Sequence, residues 1–145
     1  MRVIVQRAKE ASVSVDSKIV GKIGYGYMLL VGFTEGDNDD IISFMVKKIL
    51  NLRIMDDENG VMNKSILDTG GEILSISQFT LYGDATKGNR PSYIKALPGS
   101  QSTILYDKFN EELAKHVPVK TGVFGSHMEI TFTNIGPHTI ILEKL

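Results

Sequence analysis

Tyr27-Met28-Leu29-Leu30-Val31-Gly32-Phe33 is an uncharged run, apolar at every position but Gly32, and it leads through Thr34-Glu35-Gly36 into Asp37-Asn38-Asp39-Asp40-Ile41. An unbroken apolar run of this length, without alternation, reads as a strand covered on both faces. Beyond the glycine the period changes. From Asp37 to Leu52 the residues Ile41, Met45, Ile49 and Leu52 recur at helical spacing, with Asp39 and Asp40 in the first turn and Lys47 and Lys48 in the last. That charge order complements the helix dipole, so the spacing predicts an amphipathic helix.

Working outward, the N-terminal side reads as β-structure. Val3, Val5 and the Ser12–Val15 alternation give one strand, and Lys18 to Ile23 a second, before the run from Tyr27. Glycines 21, 24, 26 and 32 punctuate these segments, and a turn or bulge explains them more simply than phosphate binding. On the C-terminal side, a strand is expected at Leu52–Met55, a turn at Asp57-Glu58-Asn59-Gly60, and a second buried strand from Glu72 to Leu81. After the Gly- and Pro-bearing stretch Gly83–Gly99, Leu105, Phe109 and Leu113 mark one face of a helix from Ser100 to His116, capped by Ser100 or Ser102 and ended before Pro118. Two final strands, Met128–Thr133 and Thr139–Leu142, are expected around a turn at Asn134-Ile135-Gly136-Pro137. The order β-β-β-α-β-β-α-β-β implies a single α/β domain of mixed β-sheet in barrel-like layers with two main helices.

Composition narrows the chemistry. The 145 residues are 42% hydrophobic and contain no Cys, so no disulfide, thiolate nucleophile or Cys-ligated zinc is available. Neither a signal-peptide core nor a membrane-length apolar run is present, which makes the cytoplasm the expected location. With 16 basic and 17 acidic residues the net charge is -1, so any polyanion contact has to be local. Lys87, Arg90 and Lys95 form the one basic cluster in loop-like sequence, and such clusters are commonly plain solvated surface. There is no GxSxG elbow, Walker A loop or strand-to-helix dinucleotide fingerprint. His116, His127 and His138 form neither HxH nor HExxH, so neither a metal nor any other cofactor is expected. His116, near a helix end, reads as a dipole partner.

Two segments place polar residues where a core pattern predicts apolar ones. In Ser75-Ile76-Ser77-Gln78-Phe79-Thr80-Leu81-Tyr82-Gly83-Asp84, a buried strand ends in hydroxyls, an amide and free N–H groups, as a ligand site requires. A half-exposed strand running into an ordinary turn fits these residues equally well. In Asn134-Ile135-Gly136-Pro137-His138-Thr139, the X–Pro bond costs only about 0.5–1 kcal/mol to hold cis. A cis bond there would present two adjacent carbonyls to an ammonium group; a trans turn between strands is the alternative.

These pieces occur together with Gln6-Arg7-Ala8, Ala11–Asp16, Ile19–Gly26, Asn51–Gly71, Ser77–Ser92 and Pro118–Ile130 in one order and spacing. Nearly from end to end, the chain resembles the D-aminoacyl-tRNA deacylases. SQFTLYGD followed by KGNRPS, then FG, Met and Gly-Pro, is specific as a combination. The resemblance implies a homodimeric hydrolase that removes D-amino acids, and glycine, from tRNA without a metal, and that engages neither membrane nor DNA. It places Ser77, Gln78, Phe79 and Thr80 in the active site, with the N–H groups of Phe79 and Thr80 as an oxyanion hole. Gly136-Pro137 is cis by the same resemblance and enters the partner subunit's site to select chirality, held in orientation by Arg7. Phe124 and Met128 line the pocket for the 3′-terminal adenosine, and Lys87 and Arg90 become candidates for the tRNA backbone. Three departures accompany the match: Ile135 stands where Asp is usual, His138 where Val is usual, and Ser126-His127 where Ala-Asp is frequent. A surface replacement on a strand is the simpler account of both histidines. Two other classes of function stay in view, a silent module that binds an adenosine end, and an ester hydrolase with relaxed chirality.

Overall fold

The computed structural model describes residues 1–145. Strands β1 (Arg2–Val15) and β2 (Lys18–Gly32) form a long antiparallel hairpin, followed by helix α1 (Asp39–Asn51). The short strands β3 (Met55–Asp56) and β4 (Met62–Lys64), helix α2 (Ile66–Thr69) and strand β5 (Glu72–Ser77) come next. A 3-10 turn, Phe79–Tyr82, precedes helix α3 (Gly99–Ala114) and strands β6 (Val119–Thr121) and β7 (Glu129–Glu143). The main sheet has the order β6-β5-β2-β1-β7. It is mixed: β1 runs antiparallel to β2 and β7, whereas β2, β5 and β6 are mutually parallel neighbours.

Both faces of the sheet are covered at its centre, as the apolar run in β2 requires. Tyr27, Leu29 and Val31 join Val3, Val5 and Ile73 beneath α1 and α3, where Met45, Ile49 and Phe109 complete the larger core. Met28 on the opposite face packs with Ala8, Ile23, Leu74 and Ile76. Helix α1 starts as its charges dictate, with the Asn38 side chain accepting from the Ile41 N–H at 3.0 Å and Asp39 and Asp40 in its first turn.

Several boundaries differ from the sequence reading. The segments expected at Lys18–Ile23 and Tyr27–Phe33 form one strand, ending at Gly32, because glycines 24 and 26 lie within it rather than at turns. Gly26 lets the parallel neighbour approach: a Cβ there would overlap the backbone of Glu72. The strand expected to continue to Leu81 stops at Ser77 and tightens into the 3-10 turn. The strand expected at Leu52–Met55 is the two-residue β3, and α2, with its Ser65–Asp68 capping box, was not anticipated. Helix α3 begins at Gly99 without a side-chain cap, and Ser102 lies buried inside it. His116 lies two residues beyond its end, with its backbone N–H bonded to the Leu113 carbonyl.

The largest correction concerns Asn134–Pro137. It is not a turn between two strands but lies inside the single strand β7. Gln6 pairs with Thr139 and Ala8 with Asn134, so Ile135, Gly136, Pro137 and His138 bulge out opposite Arg7 alone. Pro137 has no N–H to donate to a ladder, which is why the chain leaves the register here. The Gly136-Pro137 bond is cis. Thr139 Oγ1 closes the base of the bulge, accepting from Asn134 Nδ2 and Gln6 Nε2, both at 3.2 Å.

Candidate active site

The site forms where the parallel strands β2 and β5 end side by side, the edge at which ligands bind in parallel sheets. Val31 and Ser77 are the last pair of the ladder, and the Gln78 N–H still reaches the Val31 carbonyl at 2.7 Å. The chain then turns into Phe79–Tyr82, closed by the Gly83 N–H on the Thr80 carbonyl at 2.9 Å. Gly32 permits this close packing, because a Cβ there would stand 3.0 Å from the Gln78 carbonyl and 3.2 Å from Leu81 Cβ. Phe79 and Thr80 open the 3-10 turn, where the turn itself supplies no acceptor for their N–H groups. Neither donates in any loop or turn backbone hydrogen bond. Gln78 Nε2 donates to Thr80 Oγ1, which holds the two side chains together.

Against this strand end lies a cavity of about 570 Å³. Ser77, Gln78 and Phe79 form one wall, Tyr93 and Leu97–Gly99 a second, and Phe124–Met128 a third. One glycine, Gly122, makes the third wall possible. A Cβ on Gly122 would collide with Met128 Sδ, and Phe124 Cε1 lies 3.7 Å from where a Gly99 Cβ would stand. The cavity is mostly apolar, and no Asp, Glu, Lys or Arg lines it. Such a surface suits a flat heterocycle, with the Ser77–Phe79 edge as its polar end. Beneath it, Tyr106 Oη donates to the Ser75 carbonyl at 2.8 Å, and burial raises the pKa of that phenol.

The structure thus brings together Ser77, Gln78, Phe79, Phe124 and Met128 of the residues expected from sequence, with Thr80 beside them just outside the lining. His127 belongs to the cavity wall, not to a plain strand surface. Gly136, Pro137 and Arg7 are not part of this cavity within one chain. The Arg7 side chain is buried and donates to the Ile54 carbonyl at 3.2 Å and to both carboxylate oxygens of Asp56 at 3.1 and 3.2 Å, rather than to Gly136 or Pro137. Its link with the Gly-Pro pair is through the backbone, which faces the bulge. Lys87 and Arg90 are exposed in the loop before α3 and form no ion pair, whereas Lys95 pairs with Asp84 at 3.6 Å. Hydrogen bonds from the Thr86 hydroxyl and N–H hold the Asp84 carboxyl below the usual carboxylate range.

Sequence reading missed Tyr93, Leu97, Gly99 and Ser102. The loop carrying the first two has no periodicity; its one signal was the large apolar pair Tyr93-Ile94 in an otherwise polar stretch.

Comparison with known proteins gives the family of the chain. A family model described as D-Tyr-tRNA(Tyr) deacylase matches residues 4–143. A D-aminoacyl-tRNA deacylase of Bacillus cytotoxicus is 53% identical over 145 residues, covering 99% of each chain. One from Clostridium acetobutylicum is 51% identical, covering 99% of this chain and 97% of that one. Among solved structures, one named c-Myc DNA Unwinding Element Binding Protein superposes with a TM-score of 0.95 at 40% identity, over 100% of this chain and 99% of that one. A structure described as a probable eukaryotic D-amino acid tRNA deacylase shares the fold, with a TM-score of 0.84 at 20% identity over 97% of both chains. These relatives make the chain a hydrolase acting on ester bonds. The chain belongs to the D-Tyr-tRNA(Tyr) deacylase family.

Proposed function

We propose that the protein hydrolyses the ester bond of D-aminoacyl-tRNA in the cytoplasm, releasing free D-amino acid and tRNA, and that it also accepts glycyl-tRNA charged on tRNA(Ala). The observation that carries this reading is the pair of opening N–H groups at Phe79 and Thr80 beside an apolar cavity with no carboxylate, lysine or arginine in its lining. An aminoacyl ester is already activated, and the neighbouring ribose hydroxyl assists its cleavage. The protein therefore has only to hold the terminal adenosine, place a water and stabilise the oxyanion. Phe124 and Met128 pack against the adenine, the N–H groups of Phe79 and Thr80 receive the developing charge, and the Thr80 hydroxyl, held by Gln78, orients the water. Thr80 is not the nucleophile in this scheme, since no general base contacts it.

Chiral selection requires a second copy of the chain. In a homodimer the Gly136-Pro137 carbonyls of one copy accept from the substrate ammonium in the other, leaving room for hydrogen but not for an L side chain; glycine passes. Support for this comes from the position of the pair, on a four-residue bulge of an edge strand and outside the cavity of its own chain. Lys87 and Arg90 contact tRNA phosphates in this reading, which their exposure and lack of an ion pair support. Release of amino acid from D-tyrosyl-, L-tyrosyl- and glycyl-tRNA, with a chelator present, tests the reading. D-tyrosyl and glycyl esters are expected to be cleaved and L-tyrosyl spared. Equal cleavage of D and L would remove the role given to Gly136-Pro137, and no cleavage at all would remove the enzyme.

A further inference from the structure

Three walls of the cavity come from segments distant in sequence, and one buried side chain contacts the supports of two of them. Tyr106, 4% exposed, sits on the inner face of α3. Its hydroxyl donates to the Ser75 carbonyl at 2.8 Å and accepts from Ser75 Oγ at 3.3 Å. Ser75 lies two residues before Ser77, on the last stretch of β5 ahead of the 3-10 turn. The Tyr106 ring packs against Phe124, with centroids 5.8 Å apart and planes inclined by 43°. One helical turn earlier on the same face, Ser102 lines the cavity itself. Phe124 Cε1 lies 3.7 Å from where a Cβ on Gly99, at the start of the same helix, would stand.

We propose that Tyr106 is a positioning residue, which through its hydroxyl fixes where β5 delivers the N–H groups of Phe79 and Thr80, and through its ring fixes the Phe124 wall. The inference rests on the function proposed above but concerns a residue that touches neither substrate nor reacting atoms. Its physical basis is the tolerance of electrostatic catalysis. Donors act on an oxyanion only within a few tenths of an ångström of their proper place, so a strand end released from its anchor loses rate even when the fold survives. The hydroxyl and the ring serve different walls, so their removal has different kinetic signatures.

The test compares Tyr106→Phe and Tyr106→Leu with the wild-type protein on D-tyrosyl-tRNA, with amide NMR spectra and thermal melts of each. Tyr106→Phe keeps the ring and removes only the hydroxyl. It is expected to lower kcat about tenfold with KM unchanged, and to shift the amide resonances of Phe79 and Thr80. Tyr106→Leu is expected in addition to raise KM. A lowered Tm with wild-type kcat, KM and Phe79 and Thr80 resonances in Tyr106→Phe would reduce the tyrosine to packing and overturn the proposal, as would a change in KM alone. The two readings fail separately. A wild-type protein inactive on D-tyrosyl-tRNA refutes the proposed function, while the Phe79 and Thr80 resonances still decide the role of Tyr106.

Discussion

The imidazole of His138 lies in the space that a side chain on Gly136 would need. Gly136 also has φ 116°, in the region that L side chains rarely adopt. Gly136→Ala therefore combines backbone strain with a ring displaced from the bulge, and is expected to cost about 2 kcal/mol of stability. Urea denaturation measures the cost. His138→Val, which gives up the imidazole, is expected to recover part of it in the double variant; strict additivity of the two changes would mean that the ring and the glycine are not coupled.

The Arg7 guanidinium makes a second test. It is buried and satisfies the Ile54 carbonyl, while Asp56, its ionic partner, has a side chain 42% exposed. Removing the arginine strands a buried carbonyl and leaves the carboxylate to water; replacing the carboxylate by an amide removes the counter-charge but keeps an oxygen to which the guanidinium can donate. Arg7→Ala is expected to cost about 3 kcal/mol and Asp56→Asn about 1 kcal/mol. Equal costs in chemical denaturation would mean that the ion pair, not the buried carbonyl, dominates.

Gly122 is expected to control the third cavity wall. An added Cβ meets Met128 Sδ and stands 3.3 Å from a Val13 methyl, and of the two Met128 is the freer to move. Gly122→Ala is expected to push Met128 into the cavity and raise KM about fivefold with little change in kcat. Steady-state kinetics on D-tyrosyl-tRNA read the split; a fall in kcat instead would mean that this wall bears on the reacting centre.

Acid stability follows from two carboxylates outside the site. Asp57 accepts from the N–H groups of Val61 and Asn59 in the β3–β4 turn, at 3.0 and 2.9 Å, and Asp68 from the Ser65 N–H at 2.9 Å. These bonds hold both carboxyls below the usual carboxylate range. The unfolded chain therefore binds protons more readily than the folded one. Their contribution is complete above the ordinary carboxylate value of about 4 and is lost as pH falls through the lower folded values. The urea midpoint is expected to drop on going from pH 5 to pH 3, and less steeply in an Asp57→Asn, Asp68→Asn double variant. An unchanged slope would assign acid sensitivity to other groups.

The sequence was legible where one physical rule dominated. Helix α1 could be read from its spacing and its terminal charges, which agree. The Tyr27–Phe33 run could be read because only a doubly covered strand needs it. Gly26 misled because glycine serves close strand approach as well as turns, and the difference lies in Glu72, nearly fifty residues away. Ser77–Thr80 was visible as polar residues after a buried strand, but its tightening into a 3-10 turn was not, since Phe79, Thr80 and Leu81 alone favour an extended chain. Asn134–Pro137 carries the composition of a turn, and only pairing with Gln6 and Ala8 keeps both flanks in one strand. Tyr106 reads as ordinary helix filling until the Ser75 carbonyl is placed beside it.

The parallel pairing of β2 with β5 joins Gly26 to Glu72 and Val31 to Ser77. The cavity therefore cannot assemble from any one stretch of sequence. Every wall waits on loops that close slowly against chain entropy, so high contact order is built into catalytic competence itself. Fragments and partly folded intermediates are expected to be inert, and the activity regained during refolding becomes a direct measure of the native population.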